Sequence, residues 1–241
     1  MFKIFEPNKI FKITSRAPKY VLFLFVIVLS VGLLEALIIS PEDYKQSDAV
    51  RIMYVHVPSA WISLGIFSSI TFLSIFGFVF KNKNFFLISK SLAPSGFVFN
   101  IIALVTGSIW GKPTWGTWWV WDARLTSTLV LLLLYLGIIA LRNALEEKGN
   151  DGRPCAVLVL VGLVNLPIIK YSVDWWFTLH QPASFTLTEK PTMPPEMWLP
   201  LLLMAAGYYL FVFSVWTSRI RNEIISRERK TAWVKTWAGS K

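Results

Sequence analysis

Cysteine is nearly absent from this chain of 241 residues, which contains one, Cys155. A single thiol excludes an internal disulfide, a CxxCH cofactor-attachment motif and a metal site built from several cysteines. Cys155 lies at the start of an apolar run, where a small packed residue is expected.

Histidine and charged residues are also scarce, at two histidines and 16% charged residues. Two histidines without an acidic partner motif fit a zinc site poorly. The net charge of +10 is not gathered with spaced aromatic residues, which argues against nucleic-acid binding. There is no P-loop, no internal repeat and no small-x-small cleavage site after the first apolar run, so that run is predicted to remain as a span.

Apolar residues, by contrast, make up 54% of the chain and form long runs. A membrane span needs roughly 20 mostly apolar residues, and a lipid-exposed backbone must be helical to satisfy its own hydrogen bonds. Six spans are predicted, at about 20–40, 59–80, 92–110, 125–142, 155–172 and 197–217. The fifth is the weakest because it carries Pro167. The predicted fold class is an all-α integral membrane protein with a six-helix bundle at 20–217.

Basic residues determine the predicted orientation. Three quarters of the 24 lysines and arginines lie in the N-terminal tail (1–19), the second and fourth connections and the C-terminal tail (218–241). By the positive-inside rule, both termini are predicted to be cytoplasmic. The outer loops are then about 41–58, 111–124 and 173–196. The basic C-terminal tail is expected to face anionic lipid.

The middle outer loop contains an unusual stretch, WGTWWVWDARLT, with four tryptophans in seven residues. Tryptophan is common at membrane interfaces, and that explanation suffices for Trp61, Trp110, Trp198 and Trp216. An interface needs only one or two tryptophans at each helix end. The dense cluster favours a binding platform, formed by Trp115, Trp118, Trp119 and Trp121.

Both histidines are predicted to lie on the same face of the membrane as this cluster. His56 falls in the first outer loop, where Pro58 could open the following helix at its first turn. His180 falls in the third outer loop and would share a helix face with Trp176 if that segment were helical. Either histidine could instead be an ordinary hydrogen-bonded structural residue.

A flat aromatic ligand with an iron and two carboxylates, such as haem, would use all of these parts. Tryptophan faces stack on such a ligand, and neutral imidazoles coordinate iron. A nearby arginine pairs with a carboxylate, and Arg124 is the first candidate for this role, ahead of Arg51, Lys112 and Lys190. Asp122 and Arg124 could alternatively pair with each other at a helix start, where an acid favours the helix dipole.

The stretch WGTWWVWDARLT resembles the tryptophan-rich WWD signature of haem-handling proteins. Six spans, the signature between spans three and four, and a histidine in each flanking outer loop resemble the CcmC family of cytochrome c maturation over about residues 15–220. The contexts VHVPSAW and HQPAS around His56 and His180 resemble the family too. The resemblance implies a protein of the bacterial inner membrane with its WWD loop on the periplasmic face.

The resemblance further implies which residues act and with what partners. The two histidines would be axial ligands of the iron of haem b, and the WWD loop the platform, formed by Trp115, Trp118, Trp119, Trp121 and Asp122. The haem would be presented to the chaperone CcmE, which takes it covalently on its own histidine. CcmD and the ATP-binding-cassette pair CcmA and CcmB would complete the complex. This chain would bind and transfer haem and would not be an enzyme.

Two rival functions remain open from the residues alone. A membrane b-type cytochrome passing electrons to quinone usually has histidine pairs on facing helices inside the bilayer. A permease subunit of an ABC transporter would line a pathway through its spans, where polar residues are few here. Asn100 could join two helices by a hydrogen bond, and Glu35, near the outer end of the first span, could be functional or exposed to water.

Overall fold

The computed structural model describes residues 6–16, 18–146, 152–185 and 190–239. Within these ranges all regular structure is helical, apart from one isolated bridge between Asp43 and Ser47. Six helical segments are long and apolar enough to cross a membrane. The predicted all-α class and the six spans are thereby confirmed.

The helices are numbered in the order in which they follow one another along the chain. They are α1 Pro7–Arg16, α2 Pro18–Leu34, α3 Met53–Val79, α4 Lys83–Trp115, α5 Ala123–Glu146, α6 Arg153–Gly162, α7 Asn165–Trp175, α8 Pro195–Glu228 and α9 Ala232–Gly239. The first span continues beyond α2 through a π-helical turn, Glu35–Ile39, and a 3₁₀ turn, Asp48–Ile52, leads directly into α3. Glu35 is half-buried at the start of the π-helical turn.

Several helices extend well past the predicted spans. Hydropathy marks the part of a helix that lies in hydrocarbon, whereas the backbone hydrogen bonds continue into polar sequence. Helix α4 is 33 residues long, against a predicted span of 92–110, and α3 begins at Met53 instead of 59. The first part of the predicted tail 218–241 is the end of α8, where Ile220 and Ile224 pack against α1 and α9.

The fifth span is two helices, α6 and α7, with a break at residues 163–164. Pro167 lies four residues beyond Leu163. Its ring has no N–H to donate to the Leu163 carbonyl and would collide with that carbonyl in a continuous helix. The span whose sequence pattern is the weakest is therefore the one whose helix is broken. Helix α7 continues this span from Asn165.

The bundle centre is formed where α3, α4 and α5 cross. The Tyr135 ring is fully buried there, and its hydroxyl donates to the Ser63 carbonyl oxygen at 2.7 Å. The Asn100 side chain donates through Nδ2 to Ser63 Oγ at 3.0 Å, so its predicted role in joining two helices is confirmed.

One end of the bundle carries all three predicted outer loops. The N-terminal ends of α3, α5 and α8 and the C-terminal ends of α4 and α7 meet there, and we call it the histidine end. The loops are shorter than predicted. They span residues 40–52, 116–122 and 176–194, and 186–189 lie outside the described residues.

We expect Gly96→Ala to destabilise the bundle, because an added Cβ would overlap the buried Tyr135 ring. Overpacking of this kind costs about 1–3 kcal/mol. Thermal unfolding of the purified protein in detergent should show a lower Tm for this variant.

The matched control is Gly137→Ala on α5, where the nearest atom to the new Cβ is Leu158 Cδ2 at 3.6 Å. That variant should unfold at or slightly above the wild-type temperature, because alanine is the better helix former. Equal Tm values for the two variants would contradict the close approach of Gly96 to Tyr135.

Candidate functional site

A cavity of about 720 Å³ lies at the histidine end. Its wall is built by α3, α4, α5, α7, α8 and the segments that connect them. Small-molecule and cofactor sites typically have volumes of roughly 300–1,000 Å³. Both histidines of the chain lie on its wall, although they are separated by more than 120 residues of sequence.

His56 is the fourth residue of α3, so it is presented by a helix and not by a loop. The prediction that Pro58 would open this helix is wrong, because the 3₁₀ turn before Met53 starts it earlier and leaves Pro58 inside. The His56 Nδ1 donates to the Ala103 carbonyl oxygen on α4 at 2.9 Å. A carbonyl cannot donate, so Nδ1 carries a proton, and in the neutral ring Nε2 then keeps a free lone pair.

Gly107 makes this contact possible. A Cβ at position 107 would lie 2.9 Å from His56 Cε1, closer than real Cβ contacts are found. The Ala103 carbonyl oxygen has two lone pairs, one for the helical N–H of Gly107 and one for the imidazole. The absence of a side chain at position 107 therefore opens an α4 carbonyl to the His56 ring.

His180 is held differently, in a segment with no helix. Helix α7 ends at Trp175, and Trp176 is extended, so the helical face predicted for Trp176 and His180 does not form. The His180 Nδ1 donates to the Gln181 carbonyl oxygen at 2.8 Å, which again leaves Nε2 unprotonated. Burial, followed by the charge of Arg124, lowers the His180 pKa below its ordinary 6.5, so the ring is neutral at pH 7.

The structure brings the two imidazoles together. Their ring centroids are 6.4 Å apart and their planes are inclined by 40°. Two imidazoles that bind one metal from opposite sides, each with a nitrogen about 2 Å from it, have centroids roughly 6 Å apart. The pair therefore has the spacing of a two-imidazole metal site.

Only half of the predicted tryptophan platform lies on the cavity wall. Trp115 and Trp119 line it, and the Trp115 ring centroid is 6.2 Å from that of His180. Trp118 and Trp121 are 57% and 75% exposed and do not lie on the cavity wall, so their part in the platform stays a prediction. Helix α4 ends between the two groups, where Gly116 takes a φ of 78° and turns the chain.

Two tryptophans attributed above to the membrane interface line the cavity instead. Trp61 and Trp110 both lie on its wall. The Trp110 ring meets His56 edge-on at 5.8 Å between centroids, and its Nε1 donates to Gln46 Oε1 at 2.7 Å. Four indole rings thus line the cavity, and they come from two helices, α3 and α4, and the Trp-rich loop.

Asp122 does not line the cavity and acts on the backbone around it. Its Oδ1 accepts the Leu125 N–H at 2.7 Å, which caps the start of α5. Its Oδ2 accepts the Thr178 hydroxyl, which belongs to the segment carrying His180. Asp122 therefore joins the Trp-rich loop to the His180 segment, and its contact with a ligand stays a prediction.

Arg124 is the cationic side chain that the structure places beside His180 on the cavity wall. Its Nη1 donates to the Ile169 carbonyl oxygen at 2.6 Å, and no ion pair with Asp122 is present among the described residues. The alternative pairing with Asp122 is therefore not formed. The three weaker candidates lie off the wall: Arg51 bonds Asp48, Lys112 bonds the Gly116 carbonyl oxygen, and Lys190 is exposed.

Comparison with known proteins is consistent with this arrangement. A family model described as Heme exporter protein C, CcmC, matches residues 1–235. The chain belongs to the CcmC family.

Curated members of the CcmC family match over nearly the whole chain. Heme exporter protein C of Escherichia coli is 44% identical over 228 residues, covering 95% of this chain and 92% of that protein. Heme exporter protein C of Haemophilus influenzae is 40% identical over 233 residues, covering 97% and 95%. That of Bradyrhizobium diazoefficiens is 41% identical over 222 residues, covering 92% and 84%.

Several residues that build this CcmC site gave no sequence signal of their own. Ala103, Gly107 and Thr178 act through a carbonyl, a missing side chain and a hydroxyl, and such residues are common in any chain. Helical spacing could have suggested Gly107, since Ala103 and Gly107 lie four residues apart on one face of α4. Nothing in the sequence pairs that face with His56.

We expect both imidazoles of this CcmC protein to be in the tautomer with the proton on Nδ1. Labelling with ¹⁵N-histidine gives only two ring systems, and their nitrogen shifts report the tautomer directly. The His180 ring should remain neutral as the pH falls through 6.5, because burial disfavours its charged form. A neutral ring with its proton on Nε2 and none on Nδ1 in the ligand-free protein would contradict these hydrogen bonds.

Proposed function

We propose that this protein binds haem at the histidine end, takes part in haem export for cytochrome c maturation, and presents the haem to the chaperone CcmE. The proposal rests on one observation. Two imidazoles, each donating from Nδ1 to a backbone carbonyl, have ring centroids 6.4 Å apart on the wall of a tryptophan-lined cavity. The names of the curated relatives support the same reading.

The donor set suits haem as a bound substrate. A porphyrin brings four nitrogen ligands to its iron, and two axial positions remain for protein side chains. His56 and His180 would fill them through their free Nε2 atoms. Each Nδ1–H donates to a backbone carbonyl, the outer-shell arrangement that fixes the tautomer and raises the basicity of a metal-binding imidazole.

The rest of the cavity wall fits the other features of haem. Indole rings of Trp115 and Trp119 offer apolar faces to a flat ring. The Trp119 Nε1 is buried and has no hydrogen-bond partner within the described residues, so an acceptor on the ligand would satisfy it. Arg124 uses one of its five N–H groups on Ile169, and the others remain suited to a propionate carboxylate.

The chain's own part in the process would be capture and presentation. The protein holds the haem while one edge stays accessible to CcmE, and CcmE takes the haem on its own histidine. No covalent intermediate forms on this chain, and it is not an enzyme. Binding of moderate strength serves this role best, because tight axial ligation would slow the transfer.

The partners and location follow from the family and the charge pattern. CcmD and the ATP-binding-cassette subunits CcmA and CcmB would form the complex in which ATP hydrolysis releases the loaded chaperone. The basic residues favour cytoplasmic termini, which would put the histidine end on the periplasmic face of the bacterial inner membrane. The bound haem would be haem b, the form without covalent attachment.

The rival functions find less support in the site. A quinone-reducing b-type cytochrome would hold its haem between facing transmembrane helices, whereas His180 lies in a non-helical segment. A permease would need a pathway through the spans, but below the cavity the bundle centre is filled by buried side chains of α3, α4 and α5.

We expect His56→Ala and His180→Ala each to reduce the haem that co-purifies with the protein and to change the Soret spectrum. Loss of one axial nitrogen converts a six-coordinate low-spin haem toward a five-coordinate high-spin one. Absorption spectra at matched protein concentration measure both effects. Added imidazole should restore the low-spin spectrum by filling the vacated position. Wild-type haem content and spectrum in both variants would reject the axial assignment.

We expect Trp119→Leu to weaken haem binding and Trp118→Leu to leave it near wild type, because only Trp119 lies on the cavity wall. An aromatic contact is worth about 0.5–1.5 kcal/mol beyond its buried area, or roughly two- to tenfold in affinity. Titration of the haem-free variants with haem, followed at the Soret band, gives both affinities. A larger loss for Trp118→Leu would support the platform predicted from sequence and contradict the structure.

A further inference from the structure

The segment that carries His180 has few attachments. Residues 177–182 form no helix, and His180 itself bonds only within the segment, through its ring to the Gln181 carbonyl oxygen and through its N–H to Thr178. Among the hydrogen bonds of the described residues, the one from Thr178 to Asp122 is the link between 177–182 and another part of the chain. The position of His180 therefore depends on how Thr178 is held.

The Thr178 hydroxyl makes two hydrogen bonds at once. It donates its only proton to Asp122 Oδ2, and its oxygen accepts the His180 backbone N–H at 3.0 Å. A hydroxyl can do this because it has one donor and two acceptor lone pairs. The hydroxyl thus connects the backbone of a ligand residue to a carboxylate.

Asp122 is itself fixed by α5. Its second oxygen caps that helix at Leu125, and the same first turn carries Arg124, which lies on the cavity wall beside His180. The chain of bonds from α5 through Asp122 and Thr178 therefore sets His180 in a defined position relative to the guanidinium.

We propose that Thr178 is a positioning residue for haem binding, whose hydroxyl holds the His180 imidazole in register with His56 and Arg124. This inference rests on the proposed function, because it takes His180 as an axial ligand. Thr178 does not touch the ligand. It acts through the backbone of His180, so its loss should weaken one axial bond and leave the rest of the cavity intact.

The test compares Thr178→Val, which keeps the shape and removes the hydroxyl, with Thr178→Ser, which keeps the hydroxyl. The full-length protein is purified with its haem, and spin state and haem affinity are measured from absorption spectra. Thr178→Val should raise the high-spin fraction and lower the haem affinity roughly tenfold, the effect typical of losing a partner of a metal ligand. Added imidazole should return the spectrum to low spin, and Thr178→Ser should match the wild type.

Thr71→Val is the matched control, because the Thr71 hydroxyl donates only to the Phe67 carbonyl of its own helix, in the core. It should keep the wild-type spectrum. If Thr178→Val does not fold, Thr178→Ala carries the same expectations, since it also removes both hydrogen bonds.

The results separate the two hypotheses. A wild-type spectrum in Thr178→Val alongside a changed one in His180→Ala would overturn the role of Thr178 alone. A Thr178→Ser variant as defective as Thr178→Val would do the same, because the hydroxyl would then not be the active feature. Wild-type spectra in both histidine variants would defeat the proposed function and this role with it.

Discussion

The hydrogen bond from His56 Nδ1 to the Ala103 carbonyl oxygen is the constraint on which the site depends. It is made between two transmembrane helices, α3 and α4, whose packing forms much of the core. It fixes the proton on Nδ1, so the nitrogen left for a ligand is Nε2, and it orients the ring at the cavity wall. It also requires a glycine at 107, since any side chain there would displace the imidazole.

The second histidine, His180, also has its proton on Nδ1, but the hydrogen bond that fixes it is made within its own segment. His180 uses the carbonyl oxygen of its own neighbour, Gln181, and its surroundings keep the ring neutral. Indoles from α3, α4 and the Trp-rich loop line the cavity around both rings, and Arg124 and Lys45 place cations on its wall. The result is a tryptophan-lined site that presents two imidazoles and a guanidinium, which would complement a flat metal-bearing ring with carboxylate substituents.

The sequence was enough to predict the spans and the meeting of His56 and His180 at one end of the bundle, because hydropathy and connectivity determine both. It could not predict which tryptophans face inward. For Trp118 and Trp121, which stay exposed off the cavity wall, that depends on where α4 ends and how Gly116 turns the chain. For Trp61 and Trp110, which line the cavity, it depends on how α3 and α4 pack. Nor could it place His56 on a helix, because the 3₁₀ turn before Met53 contains the charged residues Asp48 and Arg51 and reads as a loop.

The two imidazoles are borne by backbones of unequal stiffness. His56 is carried by a 27-residue helix packed in the bundle, so moving it would disturb the α3–α4 contact. His180 is carried by the short non-helical segment 177–182. The His180 side of the cavity is therefore the side whose wall can move while the six spans stay in place.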